Sequence, residues 1–454
     1  MKKTLILLLT FFCTYTLWAQ EPTVFENKVY KDNLRTVNLH ITNSPLSYPI
    51  VSLASQAGVL VLYFDDVDAE VKDFTYTVQL CNQDWTVSDL GDMEYLEGFT
   101  EGDIRDYNFS QRVSTNFVHY RVELPNRDVR WTKSGNYILK VYENTGGGDK
   151  ELVITRRFMV TESIAKVQET IDYPVKVNLQ QTHQEIDFKV VFQKGVDLKN
   201  PIKEVSATIL QNGRWDNAIS HIQPMQVRDQ TLKFDYNNKI VFPASKERRR
   251  LDMRSLENRS NEVYRIDELD DGFDVILYPD KKRTYKAHHS RIDLNGKYVV
   301  QNQDVFRGTS GGILNQNNTT DSLSQLVSID PNQERRNSLQ SDYALVYFSL
   351  ESPTEYYDDD IYVYGALTNW ELMEEFKMEY LPKDQAYTTQ AWLKQGYYDY
   401  MYAYVKEGAT KPDLSALEGD WYETKNDYTI LVYYRPFGQG YDRLVAVQHS
   451  NTGI

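Results

Sequence analysis

The stretch YYDYMYAYV, residues 397–405, constrains the fold more than any other part of the chain. Tyr398, Tyr400, Tyr402 and Tyr404 stand two residues apart. This spacing puts all four on one face of a strand, with Asp399, Met401 and Ala403 on the other. Short apolar or alternating runs recur in GVLVLYFDDV (58–67), YILKVYEN (137–144), LVITRRFMV (152–160) and TILVYYRP (429–436). The last of these predicts a strand that closes the C-terminal block. Turn signals punctuate the chain. KSGNY (133–137), QNGRW (211–215), LDDGFDV (269–275) and DLNGKY (293–298) predict tight hairpin turns, because glycine supplies the positive φ such turns need. The 34 tyrosines fit the same picture, since a ring with a polar tip suits a half-buried pleated surface. The expectation is an all-β chain.

Three consecutive β-sandwich domains of immunoglobulin-like or early-set type are expected. The first spans 21–162 and ends with RRFMV. The second spans 163–340 and decays into a polar, low-complexity loop at 308–342. The third spans 341–446. At 454 residues, three domains of roughly 150 residues each fit the length. No repeat of fixed short period is present.

The first 19 residues read as a secretory signal peptide. Lys2 and Lys3 precede an apolar run from Leu5 to Leu17, and Ala19 is a small residue before cleavage. The run is short for a membrane span. Phe11 and Phe12 are too bulky for the small-residue lipobox that Cys13 would need to be lipidated. Removing the leader takes away two lysines and no acid, leaving 48 basic against 65 acidic residues, a net charge of −17. A chain this acidic is not expected to bind nucleic acid non-specifically, because phosphate contacts need a basic surface. Cys81 is then the only cysteine, so neither an internal disulfide nor a cysteine zinc cluster forms, and stability rests on packed cores.

Few motifs carry chemistry. GTSGG (308–312) has the form of a serine-protease nucleophile loop, but no histidine stands in a matching setting and the surrounding loop is a poor scaffold. The acid clusters FDDVDAE (64–70), YYDDDIY (356–362) and ELDDGFD (268–274) lack calcium-loop spacing and read as solvated turn acids. No carboxylate pair stands out for glycoside hydrolysis. Neither a metal site, a cofactor nor catalytic residues are expected. DSL (321–323) resembles a Bacteroidetes O-glycosylation acceptor, which would modify Ser322. KERRRLDMRS (246–255) carries a local charge of +3 and reads as a solvated edge or as a docking surface. In the second reading Arg248, Arg249, Arg250 and Arg254 pair with a partner's carboxylates or phosphates.

IYVYGALTNW (361–370) resembles the opening of early-set modules that bind glycogen-like glucans. That resemblance implies a sugar platform made of Trp370 and, in LEGDWYETKNDY, Trp421. Packing within the sandwich is the other reading of Trp370. A wider resemblance covers NPIKEVSATILQNGRWDNAI (200–219), LKFDYNNKIVFPASKERRRLDMRS (232–255), IYVYGALTNW, WLKQGYYDYMYAYV (392–405) and YTILVYYRPFGQGYDRL (428–444). This ordered set is similar to the plug protein of the Bacteroidetes type IX secretion system, strongly over the second and third blocks and more loosely over the first. The resemblance implies a non-enzymatic periplasmic protein at the inner face of the outer membrane. Its partner would be the translocon barrel, whose periplasmic opening it plugs when no cargo is present, and other envelope components are further possible partners. An envelope glycan binder using Trp370 and Trp421 is the alternative. A glycosidase is the second rival.

Overall fold

The computed structural model describes residues 25–55, 58–304 and 329–452. The leader, GTSGG and Ser322 lie outside them. The protein is mostly β, built from several sheets whose strand pairs are largely antiparallel.

The first block forms two facing sheets. One runs in the order Lys28–Val29, Asp149–Thr161, Gly135–Gly146, Phe74–Cys81, Glu101–Ile104, with Ile50–Ser52 added in parallel to Asp149–Thr161. The other runs Leu34–Ile41, Leu60–Asp66, Val118–Leu124, Asp106–Phe109. Leu60, Leu62 and Phe64 from the second sheet meet Tyr76, Leu80, Leu139 and Phe158 from the first in one buried core. The alternation read from 58–67 and 137–160 thus lands on real strands. Cys81 lies buried and free at the end of its strand.

The remaining strands do not follow the expected consecutive blocks. Ala165–Asp172, His183–Phe192, Thr231–Phe234 and Gln226–Arg228 form one sheet. The sheet facing it is Ile219–Ile222, Val205–Gln211, Asp427–Tyr434, Arg443–Asn451. The chain's last two strands therefore complete a core begun more than two hundred residues earlier, with Ile209 in register with Ile430. TILVYYRP does close a core, but that of 165–242 and not that of its own neighbours. The expected divide at 340/341 also runs through a sheet. Gly272–Leu277 pairs in parallel with Tyr343–Glu351, placing Val275 beside Val346. Apolar alternation marks a strand without naming its partner, so distant pairing escaped the sequence.

Turn chemistry was more local and more legible. Asn212 and Gly213 both have positive φ, 56° and 70°, and join Val205–Gln211 to Ile219–Ile222. A Cβ on Gly213 would sit 2.1 Å from Tyr48 Cε1, so the position needs glycine for space as well. Leu269 and Gly272 close the hairpin at 269–275. KSGNY and DLNGKY differ from expectation. Each lies between strands that do not pair with each other: Val129–Trp131 then Gly135–Gly146, and later Tyr298–Val300, whose partner is Gly396–Val405.

The polar segment 308–342 is not all loop, since Pro331–Gln340 is a helix. Asp330 caps it by accepting from the backbone N–H of Asn332 and Gln333 at 3.0 and 3.3 Å, and Pro331 stands where a helix tolerates it best. The helix holds because it docks: Glu334 meets buried His40 at 3.1 Å, and Leu339 is buried.

The tyrosine strand, Gly396–Val405, is buried on both faces. Tyr398, Tyr400 and Tyr402 enter a core with Val346, Phe348 and Leu393, while Met401 and Ala403 pack on Tyr362, Tyr364 and Leu414. Asp399 is also fully buried. The backbone N–H groups of Leu294 and Gly296 donate to its carboxylate, while burial and the nearby Asp293 push its pKa up.

A buried ionic cluster ties the first core to this one. Asp65 of Leu60–Asp66 accepts hydrogen bonds from Lys394 and from Tyr343 Oη, the latter at 2.7 Å, and contacts His119 at 2.7 Å. The solvated-acid reading of FDDVDAE fails here: Asp65 and Asp66 are both buried, and Lys72 meets Asp66 at 2.8 Å. Burial opposes ionisation of Asp65, but Lys394 and His119 outweigh it and hold the carboxyl below its ordinary range.

Candidate binding cavity and the arginine network

The basic run at 246–255 is largely interior. Arg249–Asp252 is a strand paired with Gly396–Val405, so alternate residues point inward, and Arg249 and Leu251 are buried. Arg249 meets Glu418 at 2.9 Å and Asp280 at 2.6 Å, and its guanidinium lies 4.9 Å from the Tyr402 ring centre. Arg248 has no exposed surface. Its backbone N–H donates to Asp293 at 2.7 Å and its guanidinium to Asn426 at 3.2 Å. Arg254 forks onto both carboxylate oxygens of Asp252, at 2.8 and 2.6 Å. Arg250 alone of the four keeps much exposure, 35 % of its side chain, and it pairs with Glu262. The docking-surface expectation is therefore corrected for Arg248, Arg249 and Arg254: the guanidinium of Arg248 is buried on Asn295 and Asn426, and those of Arg249 and Arg254 are spent on the protein's own acids. Burial works against the charge on Glu418, yet Arg249 and Arg283 overcome it and lower its pKa to about 2.

Trp370 ends a sharp reversal. Asn369 and Trp370 have φ of 54° and 61°, left-handed values that are rare for a bulky side chain. The backbone N–H of Trp370 donates to the Gly365 carbonyl at 3.0 Å, and Tyr364 Oη donates to the Trp370 carbonyl at 2.6 Å. The reversal lays the indole over Gly296, where an added Cβ would sit 2.3 Å from Trp370 Cη2. The Arg214 guanidinium lies 4.8 Å from the ring centre. Trp370 is half-buried, with its ring engaged by protein.

The same residue lines a cavity of about 370 Å³ with Trp85, Trp215, Arg157, His221 and Glu371. Arg157 comes from strand Asp149–Thr161 and Trp215 from just beyond the turn at 212–213. Trp85 follows Phe74–Cys81 and has a φ of 66°. Trp85 and Trp215 pack edge to face at 4.9 Å, with Arg157 4.4 Å from the first ring and 5.3 Å from the second. Burial lowers the pKa of Arg157 to about 10. Burial also raises that of Glu371 to about 7, against the pull of Arg156. Trp85 Nε1 is buried without a hydrogen-bond partner among the described residues. Left-handed bulky residues gathered around one cavity mark a site where the fold stores strain.

Trp421 does not join this site. It stacks on His288, with ring centres 5.4 Å apart and 12° between planes, and lines neither cavity that Trp370 lines. Reading the sequence picked out Trp370 but missed Trp85, Trp215 and Arg157, which reach the cavity from three distant segments. It also passed over KKRTYKAHHSR (281–291), a run with five Lys or Arg, two His and no acid. That signal was visible without any structure.

Comparison with known proteins places this architecture. No curated protein matches the chain. A crystal structure of a hypothetical protein from Parabacteroides merdae is similar at 28 % identity and a TM-score of 0.82, covering 95 % of this chain and 100 % of that one. Native alpha-2-macroglobulin from Escherichia coli covers 46 % of this chain and 96 % of its own at 10 % identity, but its TM-score of 0.13 carries no structural argument. Residues 34–162 match the family described as type 9 secretion system plug protein 1st domain, so the N-terminal part of the chain carries that family's domain and a role in type IX secretion is implied.

Proposed function

We propose that the protein is a non-enzymatic periplasmic component of the type IX secretion system that binds the outer-membrane translocon barrel and blocks its periplasmic opening when no cargo fills it. The observation that carries this reading is the family match over 34–162. Barrel diameter grows with strand number, so a pore that passes folded proteins leaks solutes unless it is obstructed. A compact chain of this length has a radius of gyration of about 22 Å, large enough to obstruct such a mouth.

An obstruction must also keep its shape, and the cross-bracing supports this. Asp65 with Lys394, Arg35 with Glu375 at 2.7 Å, and Arg443 with Glu162 at 2.5 Å link residues far apart in the chain. Within this reading the body has three units: 25–162, then 163–246 joined to 424–452, and 247–423 inserted between those two segments. Affinity purification of the tagged protein from gently solubilised envelopes tests it. A very large outer-membrane barrel in near-stoichiometric amount is expected. Recovery of no barrel across several detergents and salt levels overturns the reading.

A second reading, glycan binding, has one observation in its favour: the tryptophan-lined cavity with an unpartnered indole N–H. Retention of the protein on envelope polysaccharide, lost on Trp215→Ala but kept on Trp421→Ala, would place binding in that cavity. Loss with Trp421→Ala would restore the paired platform.

A further inference from the structure

KKRTYKAHHSR forms a surface loop following the strand Asp280–Lys281. The protein pins it from within. Buried Lys246 donates from Nζ to the carbonyl oxygens of Arg283 and Lys286, at 2.8 and 2.9 Å. Arg283 donates from Nε to Glu418 at 2.6 Å, and the Arg291 guanidinium donates to the Arg248 carbonyl. The loop is thus held by its backbone and by two arginines, and other cations are left over.

The remaining Lys286 and His289 line a cavity together with the cations already engaged. Lys246, Arg283, Lys286, His288, His289 and Arg291 surround a space of about 410 Å³. Its one acid, Glu247, is buried and occupied by His288 at 2.9 Å. A neighbouring cavity of about 420 Å³ shares Arg283, Lys286 and Arg291 and adds Arg250 and Lys281 together with two acids, Glu262 and Asp280, which pair with Arg250 and Arg249. Among the described residues, no carboxylate lies within ion-pair distance of Lys286 or His289. Like charges crowd here: burial and Arg283 both lower the pKa of Lys246. A chain with 65 acids against 50 bases thus gathers more cations than acids around one cavity, where Lys286 and His289 stand outside every ion pair among the described residues.

We propose that this cavity binds a phosphate-bearing anion. Guanidinium, ammonium and imidazole donors converge on one space, which suits a group with three acceptor oxygens and up to two charges better than a lone carboxylate. The volume admits a phosphate group with part of the molecule that carries it. A phospholipid headgroup and a soluble phosphate ester present the same chemistry. The proposal does not depend on the translocon reading.

The test compares the full-length protein with a Lys286→Ala, His289→Ala double variant. Neither side chain holds the loop in place, so thermal unfolding should match the parent. Two probes separate the sources: inorganic pyrophosphate by titration calorimetry, and co-sedimentation with phosphatidylcholine vesicles with and without phosphatidic acid. Saturable pyrophosphate binding that weakens about tenfold or more in the double variant supports the soluble source. Binding confined to phosphatidic acid vesicles, with the same loss, supports the lipid source. Binding to neither probe, equal binding by both proteins, or tighter binding to polyglutamate than to either probe overturns the proposal.

Discussion

Two basic stretches, 246–254 and 281–291, read alike on paper and end in opposite places. The first enters a sheet as Arg249–Asp252, and its two most buried arginines, Arg248 and Arg249, face Asp293, Asp280 and Glu418, acids that lie tens to more than a hundred residues away. The second forms no strand beyond its first residue, has no acid of its own, and leaves Tyr285 96 % exposed beside Lys286. Local charge therefore says little about exposure. What decides is whether the backbone is recruited into a sheet, and whether acids from elsewhere arrive to make burial tolerable.

The largest expected effect comes from removing one of the buried arginines. Arg249→Ala leaves Glu418 and Asp280 without their main partner inside the protein, and urea unfolding should show a loss of about 3–5 kcal/mol. A loss below about 1 kcal/mol would erase the distinction between the two stretches. Next is the acid limb of the stability curve. Glu418, with its pKa held down at about 2, stabilises fully above the ordinary carboxylate value near 4.3. That contribution fades as pH falls through about 2, and at full size it is about 3 kcal/mol. Urea titrations across this window should show a flatter acid limb in Glu418→Gln than in the parent, though from a lower starting stability. Arg250→Ala should cost only about 1 kcal/mol or less, because its pair with Glu262 is partly solvated. Smallest of all, the Lys286→Ala, His289→Ala variant should unfold within about 0.5 kcal/mol of the parent.

The same contrast explains what the sequence could reveal. Strand identity at 58–67, 137–160 and 397–405 was legible because a period of two is a local property. The hairpins at 211–215 and 269–275 were legible because both partners flank the turn. The pairing of 205–211 with 427–434 was not, since nothing near either strand specifies the other. Pro331–Gln340 was hidden by its polar composition, although Asp330 followed by Pro331 is a helix-start signal that composition should not have outvoted. Trp370 drew attention as half of a sugar platform, while the glycine its indole lies over, Gly296, stands seventy-four residues upstream. The family resemblance was read strongly over the second and third blocks and only loosely over the first, whereas the family match falls on 34–162, in the first. The cavity around Trp85, Trp215 and Trp370 needed the three-dimensional meeting of segments that no spacing rule connects.

Electrical conductance tests the central claim most directly. The purified translocon barrel, inserted in a planar bilayer without cargo, should conduct ions, and adding this protein from the periplasmic side should close most of that conductance. Conductance that stays unchanged at protein concentrations well above the barrel's would contradict the plug.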